Sequence, residues 1–198
     1  MGYTTDLYGK LKFNKQLTID DKKFLEKLAS TRRMARNVDE KYGVEGEFYV
    51  DGSDLFGQGH EDNIIDYNRP PKTQPGLWLQ WVPTDDGWFL EWDGNEKFYN
   101  YVEWLQYLID KVLDPKGYKL NGEIEWQGED RDDIGKIRVT DSKITISEGN
   151  VVFDEPSEYS GWWEIKFDGP EPSDSTREHV GKMIAEGYTS GDYQDKES

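Results

Sequence analysis

No cysteine occurs in the 198 residues, and only two histidines do. Disulfides, thiolate metal sites and cysteine nucleophiles are excluded, and a reducing compartment is the expected setting. No apolar run approaches the roughly 18 residues of a membrane-crossing helix. A basic surplus is absent too. The 24 Lys and Arg stand against 41 Asp and Glu, for a net charge of −17. This argues against binding nucleic acid or anionic membranes through a general basic surface. Its start, Met1-Gly2-Tyr3-Thr4-Thr5-Asp6, lacks the basic and apolar regions of a signal peptide, so a cytoplasmic location is expected.

Aliphatic side chains are scarce as well. Hydrophobic residues make up 34% and charged residues 33%, a balance that leans towards disorder. The aromatic content points the other way. Eight Trp and twelve Tyr bury large areas each, so a core of few but bulky side chains is expected. The charge is uneven. Residues 1–45 carry ten Lys/Arg and seven Asp/Glu, and the remainder carries fourteen and thirty-four, a balance of −20. Solubility accounts for this excess more simply than mimicry of DNA or attraction of a basic partner.

Leu7, Gly9, Leu11 and Phe13 alternate with Tyr8, Lys10, Lys12 and Asn14, the pattern of a half-buried strand. Thr18 offers an N-cap with Asp20 and Asp21 in the first turn, and Phe24, Leu25 and Leu28 carry a helix to about Met34. Residues 36–75 read as a long irregular connection, with a short strand at 46–50. Residues 77–82 and 88–92 form two strands joined by the loop 83–87. The turn Asp93-Gly94-Asn95 leads into a helix on Phe98, Tyr101, Val102, Leu105, Leu108, Ile109 and Val112, ended by Pro115 and Gly117. A one-sided strand follows on Tyr118, Leu120, Gly122, Ile124 and Trp126, then strands around 137–139 and 144–146 joined by Asp141-Ser142. Further strands at 151–153 and 162–167 and a helix at 175–186 are expected.

This order gives an α+β fold: an antiparallel sheet with two helices on one face, a ferredoxin-like β-α-β-β-α-β core and additional C-terminal strands. First and fourth strands should be neighbours, setting Lys10 and Lys12 against Glu123 and Glu125. The loop 36–75 and the chain beyond 147 are expected to cover part of the opposite face. Domain limits fall at 1–147 for the core, 148–188 for an extension packing on it and 189–198 for a disordered tail.

Chemistry-bearing motifs are sparse. No serine sits in a nucleophile elbow, and His60 and His179 have no triad context. The run His60-Glu61-Asp62, with Asp51, Asp54 and Asp66 close in sequence, reads more readily as a solvated acidic loop than as a cation site. Gly57-Gln58-Gly59 is too short for a phosphate loop. No catalytic residue, metal or cofactor is therefore assigned. Arg32 and Arg33, expected near the end of the first helix, either complement its dipole or clamp an anionic ligand group. Glu91 lies among Trp78, Trp81, Trp88 and Trp92, where it is either an acid or a residue of the polar strand face. Trp78 and Trp81 should face opposite ways, one in the core and one exposed. The proline-fixed loop before them places Asp66, Tyr67, Asn68 and Gln74 at an expected pocket rim, with Gln80 beyond. Most of the aromatics are expected simply to fill the core.

Several phrases carry a resemblance. They are Gly2-Tyr3-Thr4-Thr5-Asp6, Thr31-Arg32-Arg33-Met34, Gly46-Glu47-Phe48-Tyr49-Val50 and the runs at 64–83, 91–109 and 117–130. Together they resemble a family of uncharacterised bacteriophage and prophage proteins over most of residues 2–147. That family often carries Cys where this chain has Leu79, which argues against a catalytic thiol there. The resemblance implies a setting rather than an activity: small phage accessory proteins that modulate the host or counter its defences. The leading expectation is a binding protein that engages a host protein or sequesters a small nucleotide-like ligand. Alternatives are a carboxylate-dependent hydrolase acting on a phosphorylated or glycosidic substrate through Glu91 or Asp66, and a structural protein of the virion. The oligomeric state is left open.

Overall fold

The strand predicted from Leu7 to Phe13 is the centre of the architecture. In the computed structural model, which describes residues 2–152, β1 (Thr5–Phe13) pairs on both sides in one six-stranded antiparallel sheet. The sheet also holds β4 (Trp81–Pro83), β5 (Phe89–Trp92), β6 (Leu120–Gly128), β7 (Ile134–Thr140) and β8 (Lys143–Glu148), in the order β4-β5-β1-β6-β7-β8. A separate ribbon joins β2 (Ala35–Arg36) to β3 (Ile64–Asp66). The fold is α+β. The expectations for 153–198 lie outside the described residues. Residues 2–152 belong to one compact unit, and β8 ends one residue past the expected limit at 147.

Strand β1 lies beside β6 over its whole length, from Thr5 opposite Gly128 to Phe13 opposite Leu120. Two glycines permit this approach. A Cβ on Gly9, at φ +113°, would stand 2.5 Å from the Glu123 carbonyl oxygen, and one on Gly122 2.8 Å from that of Lys10. Lys10 does face Glu123 in register, but the charges partner elsewhere. The Lys10 ammonium lies 2.5 Å from Glu91 on β5, and Glu123 is taken by Lys136 and Arg138 on β7. Each cation bonds sideways to the next strand. The expected pairing is present, although the side chains do not make the charge match that suggested it.

One sheet face is buried and one is open. Leu7, Leu11, Phe13, Leu120, Ile124, Trp126, Ile137 and Val139 point into the core together with Leu25 and Leu28 of α1 (Ile19–Ser30) and Trp104, Leu105 and Leu108 of α2 (Tyr101–Leu108). Both helices therefore cover the same face. Tyr8, Lys10, Lys12, Glu125 and Arg138 remain exposed on the other. The loop 36–75 does not cover that outer face. Its Phe48 and Val50 pack on the core, and its Glu47 and Gln74 bond to Tyr107 of α2. The loop completes the helix layer instead.

Other boundaries shift for identifiable reasons. Helix α1 ends at Ser30, not Met34, because Thr31 turns extended and the backbone then bonds across the loop. Arg32 N–H donates to Phe56 O, Arg33 N–H to Leu77 O, Ala35 N–H to Arg69 O and Asn37 N–H to Asn63 O. Of residues 46–50, expected as a strand, Gly46 closes a 3-10 turn, Val44–Gly46, and the rest form no strand. Of residues 77–82 only the end joins the sheet, because Leu77 O is committed to Arg33. The second helix starts at Tyr101, with Asn100 rather than Asp93-Gly94-Asn95 at its cap. It continues through a π turn, Ile109–Leu113, and a 3-10 turn, Asp114–Lys116, that contains Pro115. Gly117, left-handed at φ +72°, ends it.

Thr18 caps α1 as expected: its Oγ1 accepts the Asp21 N–H at 3.2 Å. Asp21 also receives Tyr118 Oη–H at 2.7 Å and the Lys116 ammonium, tying the start of α1 to the end of the second helical segment. Replacing Thr18 with Ala removes the cap acceptor. The expected loss is about 1 kcal/mol of unfolding free energy, read as a lower urea midpoint at unchanged slope.

Candidate functional site

Two buried guanidinium groups shape the loop that walls the site. Arg33 is 2% exposed and has no ion pair among the described residues. It donates to the carbonyls of Tyr49 and Glu47, both at 2.9 Å, to that of Gly46 at 3.5 Å and to Gln74 Oε1 at 3.4 Å. Burial pushes its pKa down to about 10, which leaves it cationic at neutral pH. Gln74 in turn donates to Glu47 O at 2.7 Å and Tyr107 Oη at 3.0 Å, and Tyr107 donates to Glu47 Oε2. Burial pushes the Tyr107 phenol well above its ordinary value, so it stays a donor.

Arg36, also 2% exposed, organises the next stretch. It donates to Glu61 Oε2 at 2.5 Å, Asn63 Oδ1 at 2.8 Å and Gly57 O at 2.6 Å, and stacks over Tyr49. Glu61 also accepts the Ser53 N–H at 2.6 Å. Thus the Glu61 carboxylate is committed to an arginine clamp. Among the described residues no group of three or more His, Asp or Glu is placed to hold a metal.

The site predicted from sequence divides into four places. Arg33 and Gln74 are inside the protein, bonded to one another. Arg32 is not at a helix end. It donates to Gln58 Oε1 at 2.9 Å and Asn68 Oδ1 at 3.2 Å, and its guanidinium carbon lies 5.8 Å from the centre of the Trp78 ring. Asp66 accepts the Asn68 N–H, and Tyr67 Oη meets His60 Nδ1 at 3.1 Å. Glu91 sits on the outer sheet face against Lys10, opposite the fully buried Leu90, so the polar-strand explanation of this residue fits. Trp81 is fully buried and Trp78 is 38% exposed, as their expected opposition requires, although Trp78 precedes the strand.

Around Trp78 the chain forms a groove of about 670 Å³. One wall is the α1 face of Glu26, Ala29 and Ser30; Leu79 and Gln80 belong to the chain entering β4, and Val82 to β4 itself. Phe56 meets Trp78 edge-on at 5.5 Å, and the turn after β5 brings Asp93, Asn95, Glu96, Lys97 and Tyr99. Gln80 is 8% exposed and held, donating to Glu96 O at 3.2 Å and accepting from Trp92 Nε1 at 3.1 Å. Three aromatic rings nevertheless remain open to water: Trp78, Phe56 at 45% and Tyr99 at 52%. Left-handed backbone marks both segments that flank the groove. Asp54 and Phe56 lie at φ +60° and +59°, Lys97 and Asn100 at +62° and +56°. A bulky residue in that region costs of order 1 kcal/mol and persists only where the surroundings enforce it.

Phe56, Tyr99, Glu96 and Lys97 are groove residues that sequence reasoning does not find. A lone Phe between glycines is the available signal for the first. A second depression, about 600 Å³ on the outer face between Tyr8 and Ser147, offers less. Three of its four charged side chains are already matched, Lys136 and Glu125 with each other and Arg138 with Glu123, which leaves Glu148. No family model, no curated protein and no solved structure matches this chain.

Burial opposes ionisation of Glu61, but the bonds from Ser53, Arg36 and Asn63 outweigh it and hold the carboxyl at about 2. A carboxyl lowered by folding stabilises the protein above its unfolded value, near 4.5, and loses that contribution as pH falls through about 2. Acid unfolding followed by tryptophan fluorescence should therefore be less steep between these values in Glu61→Gln than in the wild type.

Proposed function

We propose that this protein is a binding protein without turnover and that it captures a partner protein in the Trp78 groove. The observation that carries the reading is the set of three water-exposed rings held around one groove by fixed walls. Exposed aromatics in a concave, preformed site are the usual anchors of recognition, because they bury large area while losing little conformational freedom. The strain at Phe56 supports the same conclusion. Folding alone gains little from turning a half-exposed ring outward through a left-handed backbone.

The resemblance to phage and prophage proteins makes a host protein the expected partner, in keeping with modulation of the host or its defences. A nucleotide-like ligand has one observation in its favour. Arg32, beside Trp78, has no carboxylate partner among the described residues. Against it, both terminal nitrogens of Arg32 are engaged by Gln58 and Asn68. The hydrolytic alternative lacks a paired site, since Glu91 is bridged to Lys10 on the outer face and Asp66 caps a turn.

Three substitutions separate binding from folding. With purified partner, Trp78→Ala is expected to weaken binding by at least about 2 kcal/mol, while Trp88→Ala, an equally exposed tryptophan on the β4–β5 loop, leaves it unchanged. Phe56→Gly releases the left-handed strain, so its unfolding free energy should stay within about 1 kcal/mol of wild type while binding falls. Binding lost in Trp88→Ala and kept in Trp78→Ala would move the site elsewhere.

A further inference from the structure

The rim of the groove is charged unevenly. Glu26, Asp93 and Glu96 stand there against one cation, Lys97. Glu26 is shared with Lys22 at 2.6 Å. Asp93 meets only neutral donors: its Oδ1 accepts the Asn95 backbone N–H at 2.9 Å and its Oδ2 the Asn95 amide at 2.8 Å. The Glu96 carboxylate has neither a hydrogen bond nor an ion pair among the described residues; only its backbone carbonyl is used, by Gln80. The stem of Lys97 lies against Gly2, beside Tyr99. On the outer sheet face, by contrast, Glu91, Glu123 and Glu125 all have cationic partners.

Two unmatched carboxylates beside exposed rings form an environment for a cation with apolar neighbours. Lysine and arginine head groups pair with carboxylates, and they are attracted to aromatic faces as well. A phosphate would meet repulsion from Asp93 and Glu96, with no free guanidinium fork to offset it. The net charge of −17 adds a long-range pull on basic partners.

We infer that the groove takes a basic, partly apolar segment of a partner protein, its Lys or Arg heads against Asp93 and Glu96 and its apolar side chains on Trp78, Phe56 and Tyr99. This rests on the groove being the binding site. The other occupants, an acidic segment or a nucleotide, are arms of the same test.

The full chain, labelled with nitrogen-15, is titrated with three probes: a short peptide alternating Lys and Leu, its Glu-Leu counterpart, and ATP. The Trp78 indole N–H and the Gln80 side-chain amide report on the groove. The Lys-Leu peptide is expected to shift both signals. The pair Asp93→Asn with Glu96→Gln should weaken it about tenfold, and the charge-matched pair Asp132→Asn with Asp141→Asn, in the turns on either side of β7 and outside the groove lining, less than about twofold. Equal weakening by both pairs reduces the effect to general attraction and overturns the inference. Shifts of the groove signals by ATP or the acidic peptide, with none from Lys-Leu, overturn the inference while leaving the groove as the site. Silence of both signals with all three probes removes the groove reading together with the inference.

Discussion

A buried guanidinium held by carbonyl oxygens sets the course of the chain between the first helix and β4. Arg33 has no carboxylate in contact, so its charge is balanced by dipoles from residues 46, 47 and 49 and by Gln74. An uncompensated charge inside a protein is severely destabilising, which makes each of these contacts obligatory once Arg33 is enclosed. The same group explains why a loop with little regular structure is laid firmly on α2. Glu47 and Gln74 both reach Tyr107, so helix, loop and arginine form one network. Arg36 repeats the device one turn of loop further on, through Glu61, Asn63 and Gly57.

The groove is a consequence of this arrangement. Arg32 N–H holds Phe56 O and Arg33 N–H holds Leu77 O, so the rings of Phe56 and Trp78 are set beside each other by backbone bonds from adjacent residues. The opposite wall comes from the turn after β5, where Asp93 N–H is bonded to Gln80 O. A site built between anchored segments loses little freedom on binding, which suits recognition by rigid aromatic anchors. The acidic rim adds selection by charge to selection by shape.

Where one face is core and one is water, the sequence is legible. Alternation in β1 and β6, the Asp141-Ser142 turn between β7 and β8 and the Thr18 cap all stand as read, and the β4–β5 hairpin forms with a shortened first strand. Each rests on local pattern alone. Periodicity misleads at Phe98, whose ring is buried but lies before the helix and so extends the apolar stripe too far. Arg33, Glu47 and Gln74 cannot be read as interior residues, because polar side chains become interior only when distant partners meet. Glu47 and Tyr107 are sixty positions apart. Trp78 stands out for exposure together with Trp81, and folding resolves which is which. Tyr99 and Glu96 carry no sequence pattern that sets them apart, and Phe56 has only its place between glycines. They join Trp78 only after the loop is folded back by the arginines.

The arginine network makes residues 32–77 a fixed wall rather than a mobile connection, and amide hydrogen exchange tests this most directly. A fixed wall predicts that the N–H groups of Arg32, Arg33, Ala35 and Asn37 exchange nearly as slowly as those of β1 and β6, and that Arg33→Met accelerates all four. Exchange of these amides at the rate of open loops in the wild type, unchanged by Arg33→Met, would contradict it.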